Sequence, residues 1–107
     1  MSLDVSLRAM VMAEVFTANI THNLGRMADA AGIYKHLWRP EEVGADYARD
    51  IIVPLREGLE RLKADPEGFK KYDAPNGWGT YEGLVSFVET YLDACEKYPD
   101  SVLEISR

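Results

Sequence analysis

Four turn-forming clusters, each built around a proline, divide this 107-residue chain into four segments and a tail. They lie at residues 38–40, 65–66, 74–77 and 98–100. Proline cannot donate a backbone hydrogen bond, and its neighbours here, asparagine, aspartate and glycine, favour turns. No linker or repeat separates the segments, and a chain of this length builds one hydrophobic core. We therefore expect a single domain over residues 1–107.

The two ends of the chain show the period of a β-strand. Apolar residues alternate with polar ones at the N-terminus (Val5, Leu7, Ala9, Val11, Ala13, Val15). Leu103 and Ile105 repeat the alternation near the C-terminus. Two such strands can pair antiparallel and tie both ends to the domain. The alternative for residues 4–16 is a helix, because the same segment also carries apolar residues at helical spacing.

Apolar spacings of three and four residues predict three longer helices. The first runs from Thr21 to about Trp38, with Thr21 or Asn23 as its N-cap and a break expected at Gly32. The second covers 45–64 and is expected to kink at Pro54. The third begins after Thr80 and ends before Pro99. The predicted fold is thus a helix-dominated α+β domain, with a small antiparallel strand pair formed by the N- and C-terminal segments.

Composition excludes several classes of function. Eighteen acidic against 12 basic residues leave a net charge of −6, which argues against binding duplex nucleic acid through its phosphates. The chain has no run of 18 apolar residues and no secretory signal, so we expect neither membrane insertion nor export. Its single cysteine, Cys95, falls in the apolar stripe of the third helix and is expected to be a small buried side chain.

The candidate for catalysis is His22, in a segment rich in hydrogen-bonding side chains, Asn19, Thr21 and Asn23. His36 is 14 residues away, roughly 21 Å along a continuous helix, so the two histidines cannot share a metal ion. On that helix His22, Asp29 and His36 share one outer face, which a solvated surface explains. The alternative is that His22 and its neighbours hold a small ligand or act on a substrate.

A second candidate segment contains Asn76 and Trp78 just before the third helix. Two glycines around a tryptophan indicate either a ligand-contacting loop or a tight turn whose indole packs over the core. Arg39 follows the first helix and is a candidate anchor for an anionic group. The chain lacks both common glycine-rich nucleotide-binding patterns, and we expect no cofactor and no metal.

The negative charge is concentrated in the later helices. Residues 1–39 carry four basic and three acidic side chains, whereas residues 82–107 carry two and six. Glu89, Asp93 and Glu96 follow one edge of the third helix, with Glu82 near the same azimuth. This edge is either a solvated face or a docking surface for a basic partner, as in an acidic protein that mimics nucleic acid.

Several runs resemble a small family of bacteriophage and prophage proteins: residues 19–24 (NITHNL), 27–28, 31–34, 37–42 (LWRPEE) and 76–82 (NGWGTYE). The resemblance covers nearly the whole chain and implies a phage-derived setting in the cytoplasm of a bacterial host. It carries no activity, cofactor or catalytic residue. The hypothesis is therefore a noncatalytic accessory protein that binds a protein partner or itself, with ligand-binding groups at Asn19, Thr21, His22, Asn23, Arg39, Asn76 and Trp78.

Two alternatives remain. One is a small hydrolase or ligand-processing enzyme that uses His22 with Asn19 and Asn23. The other is the acidic mimic that occupies a nucleic-acid-binding protein.

Overall fold

A computed structural model describes residues 2–9 and 13–107 and confirms a mixed helix and strand fold. Its strands are β1 (Ser2–Arg8), β2 (Glu14–Thr21) and β3 (Val102–Ser106), in one antiparallel sheet of order β2-β1-β3. The predicted pairing of the two termini is confirmed, with Val5 opposite Ile105 and Leu7 opposite Leu103. The helices are α1 (Gly25–Ala30), α2 (Tyr34–Trp38), α3 (Ile52–Ala64), α4 (Pro66–Lys70) and α5 (Tyr81–Lys97).

The N-terminal segment forms two strands where the alternation predicts one. β1 ends at Arg8, and Ala9 N–H donates to Ala13 O at 2.9 Å, closing a hairpin into β2. The predicted strand positions at 10–12 lie outside the described residues. Four apolar residues of β2 pack against the core, Val15, Phe16, Ala18 and Ile20, while Thr17 and Asn19 are exposed. The helical alternative is wrong for β1 and β2, because the two segments pair with each other as antiparallel strands.

The predicted helix over 21–38 is divided at Gly32, where a break was expected. Thr21 is an N-cap, as predicted: its Oγ1 accepts the backbone N–H of Asn23 at 3.2 Å. A 3-10 turn then covers His22–Leu24, α1 follows, and α2 starts at Tyr34. Because His22, Asp29 and His36 lie in three separate elements, their predicted alignment on one face of one continuous helix does not hold.

Pro54 begins a helix and does not kink one, which corrects the prediction for 45–64. A 3-10 turn covers Ala48–Asp50, and α3 begins at Ile52, so Pro54 lies in its first turn. The N–H groups of a first turn have no partner within the helix, so proline costs no hydrogen bond there.

The helices pack on one face of the sheet and form a two-layer core. The central strand β1 buries Leu3, Val5 and Leu7 completely. α5 lies against β2, where the Phe16 and Tyr91 rings stack with centroids 6.0 Å apart. α3 flanks α5, and Tyr81 Oη donates to Leu62 O at 2.7 Å. Within the described ranges, no helix combines the length and hydropathy that crossing a bilayer requires.

Candidate functional site

Most of the residues that the sequence predicts to bind a ligand line one open cleft. It lies where the end of β2 meets the loop before α5 and has a volume of about 500 Å³. We call it the Trp78 cleft. Its lining residues are Ser2, Asn19, Ile20, Thr21, His22, Asn23, Asn76 and Trp78. Six of the seven predicted binding residues therefore meet at one place, although up to 59 residues separate them in the chain.

Hydrogen bonds hold the loop that carries Trp78. Asn23 Nδ2 donates to Trp78 O at 2.8 Å, and Trp78 N–H donates to Asn76 Oδ1 at 3.0 Å. The base of the loop is closed by Ala74 N–H, which donates to Gly79 O at 3.0 Å. The loop backbone is thus anchored to the end of β2, while the Trp78 side chain is 71% exposed. The alternative prediction, that this indole packs over the core, is wrong.

His22 is held by the buried indole of Trp38, on helix α2, which follows His22 in the chain. Trp38 Nε1 donates to His22 Nδ1 at 2.7 Å. An indole N–H is a donor only, so Nδ1 must offer a lone pair, and in the neutral ring the hydrogen is on Nε2. Trp38 is itself held by Tyr34, whose ring stacks on it with centroids 5.1 Å apart. His22 therefore presents an N–H donor at Nε2, and a proton at Nδ1 would break its bond to Trp38.

Two further clefts adjoin the first through shared residues. His22 also lines a cleft of about 390 Å³ with Gly25, Arg26, Asp29 and Tyr34. Arg26 and Asn23 reach a third, of about 560 Å³, lined also by Lys71–Pro75. Among the described residues, Arg26 and Lys71 are in no ion pair. Within the described part of the chain, no charged side chain lines the Trp78 cleft, and the clefts beside it contain both signs of charge, Arg26 with Asp29 in one and Arg26 and Lys71 with Asp73 in the other.

Arg39 lies outside the Trp78 cleft. Its Nη1 is 3.5 Å from a carboxylate oxygen of Glu42, and a hydrogen bond with Tyr34 raises the pKa of its guanidinium. Tyr34 lines the cleft that His22 shares with Arg26, so Arg39 contacts the site only through this ring.

The acidic edge of α5 is largely neutralised within the molecule. Glu89 pairs with Lys63 at 2.8 Å and Glu96 with Arg56 at 2.7 Å, both across to α3. Glu82 is 3.7 Å from Lys70 of α4. The acidic edge that the sequence suggests as a docking surface therefore mainly forms ion pairs that join α5 to α3 and α4.

The remaining groups with catalytic potential are poorly placed for chemistry. Cys95 is fully buried, as predicted, and burial raises its thiol pKa to about 12. Burial, with the charge of Arg61, lowers the pKa of His36, whose Nδ1 is buried without a partner in the described structure. No group of three or more potential metal ligands occurs within residues 2–9 and 13–107.

Sequence reasoning missed Arg26, Lys71 and the strand residue Ser2. Ser2 is opposite Thr21 in the sheet, and only the register of an unrecognised hairpin would place it there. Arg26 and Lys71 are 45 positions apart and belong to no motif. Comparison with protein-family models, curated proteins and solved structures found no match to this chain.

Proposed function

We propose that this chain is a noncatalytic accessory protein of a phage or prophage, which binds a protein partner at the Trp78 cleft in the bacterial cytoplasm. The observation that carries the proposal is the 71% exposed indole of Trp78 on a loop with an anchored backbone. Tryptophan is prominent among residues that dominate interface energies, because it buries a large apolar area with little loss of conformational freedom. An anchored loop reduces the entropy cost of binding further.

The lining of the cleft indicates the chemistry of the partner. Asn76 Oδ1 and Asn23 Nδ2 hold the loop, which leaves Asn76 Nδ2, Asn23 Oδ1 and the whole Asn19 amide for a ligand. A peptide backbone, with its alternating N–H and C=O groups, satisfies such a mixed set of donors and acceptors. We infer an uncharged segment with an apolar side chain over Trp78, and an acidic group near Arg26 at its end.

The state of His22 favours binding over catalysis. A general base needs a free lone pair, whereas the Nδ1 lone pair of His22 is occupied by Trp38 and Nε2 carries the hydrogen. Among the described residues, no carboxylate hydrogen-bonds to this imidazole and orients it. His22 is better suited to donate one hydrogen bond to a carbonyl of the partner.

The acidic-mimic alternative has less support than the peptide-binding proposal. Two of the four carboxylates on the α5 edge hydrogen-bond to cations of α3, and a third lies near Lys70. A basic partner would have to displace these cations before it gained from the carboxylates. The uncharged cleft imposes no such competition.

Affinity capture with matched variants tests the proposal. The full chain is immobilised as wild type, Trp78→Ala and Val53→Ala, and the proteins retained from a bacterial lysate are identified by mass spectrometry. Val53 is the control, because it is an apolar residue of α3 that is 57% exposed and lines none of the three clefts. We expect a protein that wild type and Val53→Ala retain and Trp78→Ala loses. With that protein purified, Trp78→Ala should cost about 2 kcal/mol, roughly a 30-fold increase in Kd.

Two results contradict the proposal. The first is that all three proteins capture the same set. The second is enzymatic turnover of ester, amide or phosphoester substrates that His22→Ala abolishes without lowering the melting temperature. That second result would establish the hydrolase alternative.

A further inference from the structure

The β2 strand is an open edge of the sheet. The other edge, β3, is partly covered: Leu103 N–H donates to Asp46 O at 3.0 Å, and Tyr47 bridges to Val102. Within the described residues, β2 pairs with β1 only. Its outward N–H and C=O groups therefore have no strand beside them.

This edge lacks the features by which proteins usually prevent strand addition. Proline, lysine, inward charges and bulges protect most exposed edges. The one charged residue of β2 is Glu14, at its first position, and the one irregularity in register falls beside it. From Phe16 to Thr21 the strand is regular and uncharged.

The side of α5 next to β2 is uncharged as well. Glu89 and Glu96 point to α3, so helical spacing places Gly83, Phe87 and Ala94 on the opposite flank. Phe87 and Phe16 both pack on the Tyr91 ring, with centroid distances of 5.7 and 6.0 Å. Phe87 and Ala94 are themselves buried, so the exposed part of this neutral region is mainly the edge of β2, on a molecule of net charge −6. A second copy, which carries the same −6, meets the least repulsion at this surface.

We propose that β2 pairs antiparallel with β2 of a second copy, so that two three-stranded sheets join into one of six strands. A two-fold axis at Ala18 places Phe16 of each copy opposite Ile20 of the other, and Thr17 opposite Asn19. Aromatic and β-branched residues then meet on the helix side, and polar residues meet on the open side. Beyond the bulge, the same register brings the Glu14 carboxylate level with His22, a hydrogen-bond donor, at both ends.

The extent of this surface sets the expected affinity. Stable dimers bury roughly 1,200–2,000 Å² and use about 20–30 residues a side. The regular part of β2, residues 16–21, offers six residues, well below that number, so the dimer should be weak and form only at micromolar concentrations or above. The pairing shares Asn19 and Ile20 with the Trp78 cleft, whereas Thr17 and Ala18, the two β2 positions substituted in the experiments, do not line that cleft.

Sedimentation of the full chain from about 10 µM to 1 mM tests the dimer. We expect the mean mass to rise from monomer to dimer, and Thr17→Lys to abolish the rise, because the two-fold axis brings the new ammonium groups within about 8 Å of each other. Ser106→Lys is the control: it adds the same charge to an exposed position of β3, and dimerisation should persist. Thermal melts verify that both variants fold.

Disulfide trapping provides an independent measurement. Ala18→Cys should form a covalent dimer under mild oxidation, since position 18 faces itself across the axis, whereas Ser106→Cys should not. The proposal is overturned by a monomer at every concentration, by a dimer that Thr17→Lys leaves intact, or by one that Trp78→Ala alone disperses. The last result would place self-association at the Trp78 cleft.

Discussion

The substitution Gly79→Ala tests how the Trp78 loop is anchored. Gly79 has φ +128°, a conformation that residues with a side chain rarely adopt. A Cβ at this position would lie 3.2 Å from Asn23 Cβ and 3.2 Å from Thr21 Cγ2, both of which are close to their own backbone. The loop therefore meets the end of β2 with no room for a methyl group.

The expected loss combines backbone strain with lost contacts. If the loop keeps its place, the backbone strain costs about 1–3 kcal/mol and the close contacts add to it. If the loop moves away, it loses the hydrogen bond from Asn23 to Trp78 O, worth about 1 kcal/mol, and the packing of Gly79 against Thr21 and Asn23. We expect Gly79→Ala to lower the free energy of unfolding by about 2–3 kcal/mol and the melting temperature by about 10 °C or more.

Gly77→Ala is the matched control in the same loop. Gly77 also has a positive φ, +76°, but a Cβ there meets no atom within 4 Å. Only the left-handed backbone penalty applies, about 1–2 kcal/mol. Urea unfolding followed by circular dichroism gives both free energies. Equal losses for the two substitutions, or no loss for Gly79→Ala, would refute the close contact between the loop and β2.

Three further predictions concern the rest of the fold. Gly58→Ala should lower the free energy of unfolding by about 1–3 kcal/mol, although alanine favours helix, because its Cβ overlaps Ile33 Cγ2 in the core. In a double-mutant cycle, Gly58→Ala should cost much less in the Ile33→Ala background, which by itself loses a buried side chain. Asp50 accepts backbone N–H groups from Asp46 and Tyr47, which hold its pKa below 3.8, so its contribution is present above about pH 4 and is lost as pH falls through the folded pKa. In urea unfolding at several pH values, Asp50→Asn should therefore cost about 0.5–1 kcal/mol at pH 7 and progressively less below about pH 4. Burial raises the pKa of the Cys95 thiol to about 12, so this thiol should not react with a thiol reagent at about pH 8 until urea unfolds the chain.

Local sequence patterns were sufficient to predict where a capped helix begins. Thr80 accepts the N–H group of Gly83, and the last helix begins after it, as the sequence predicts. The same local signals failed at Pro54, because a proline in the first turn of a helix and one in its middle look alike until the helix start is known.

The hairpin and the Trp78 cleft were harder to predict from the sequence, for different reasons. Alternation continued through Ala9 and Ala13 without a glycine or proline to indicate a turn, so one long strand and two short ones were indistinguishable. The cleft residues could be selected by type, yet their meeting depends on the hydrogen bond from Asn23 to Trp78, 55 positions apart. Arg39 was selected on the same grounds and lies outside the cleft, where it follows the end of α2 and pairs with Glu42 of the next turn.

The Trp78 cleft and the proposed dimer interface meet on β2. Asn19 lines the Trp78 cleft, and in the paired strands it lies diagonally from Asn19 of the second copy, about 7–8 Å away. Two clefts would then open side by side on one sheet, and a partner with two binding segments gains an effective concentration in the millimolar range for the second. The Thr17→Lys monomer should therefore keep its affinity for a single segment and lose roughly 10²-fold or more of its affinity for a bivalent partner. Equal losses for both ligands would show that Thr17→Lys damages the cleft itself.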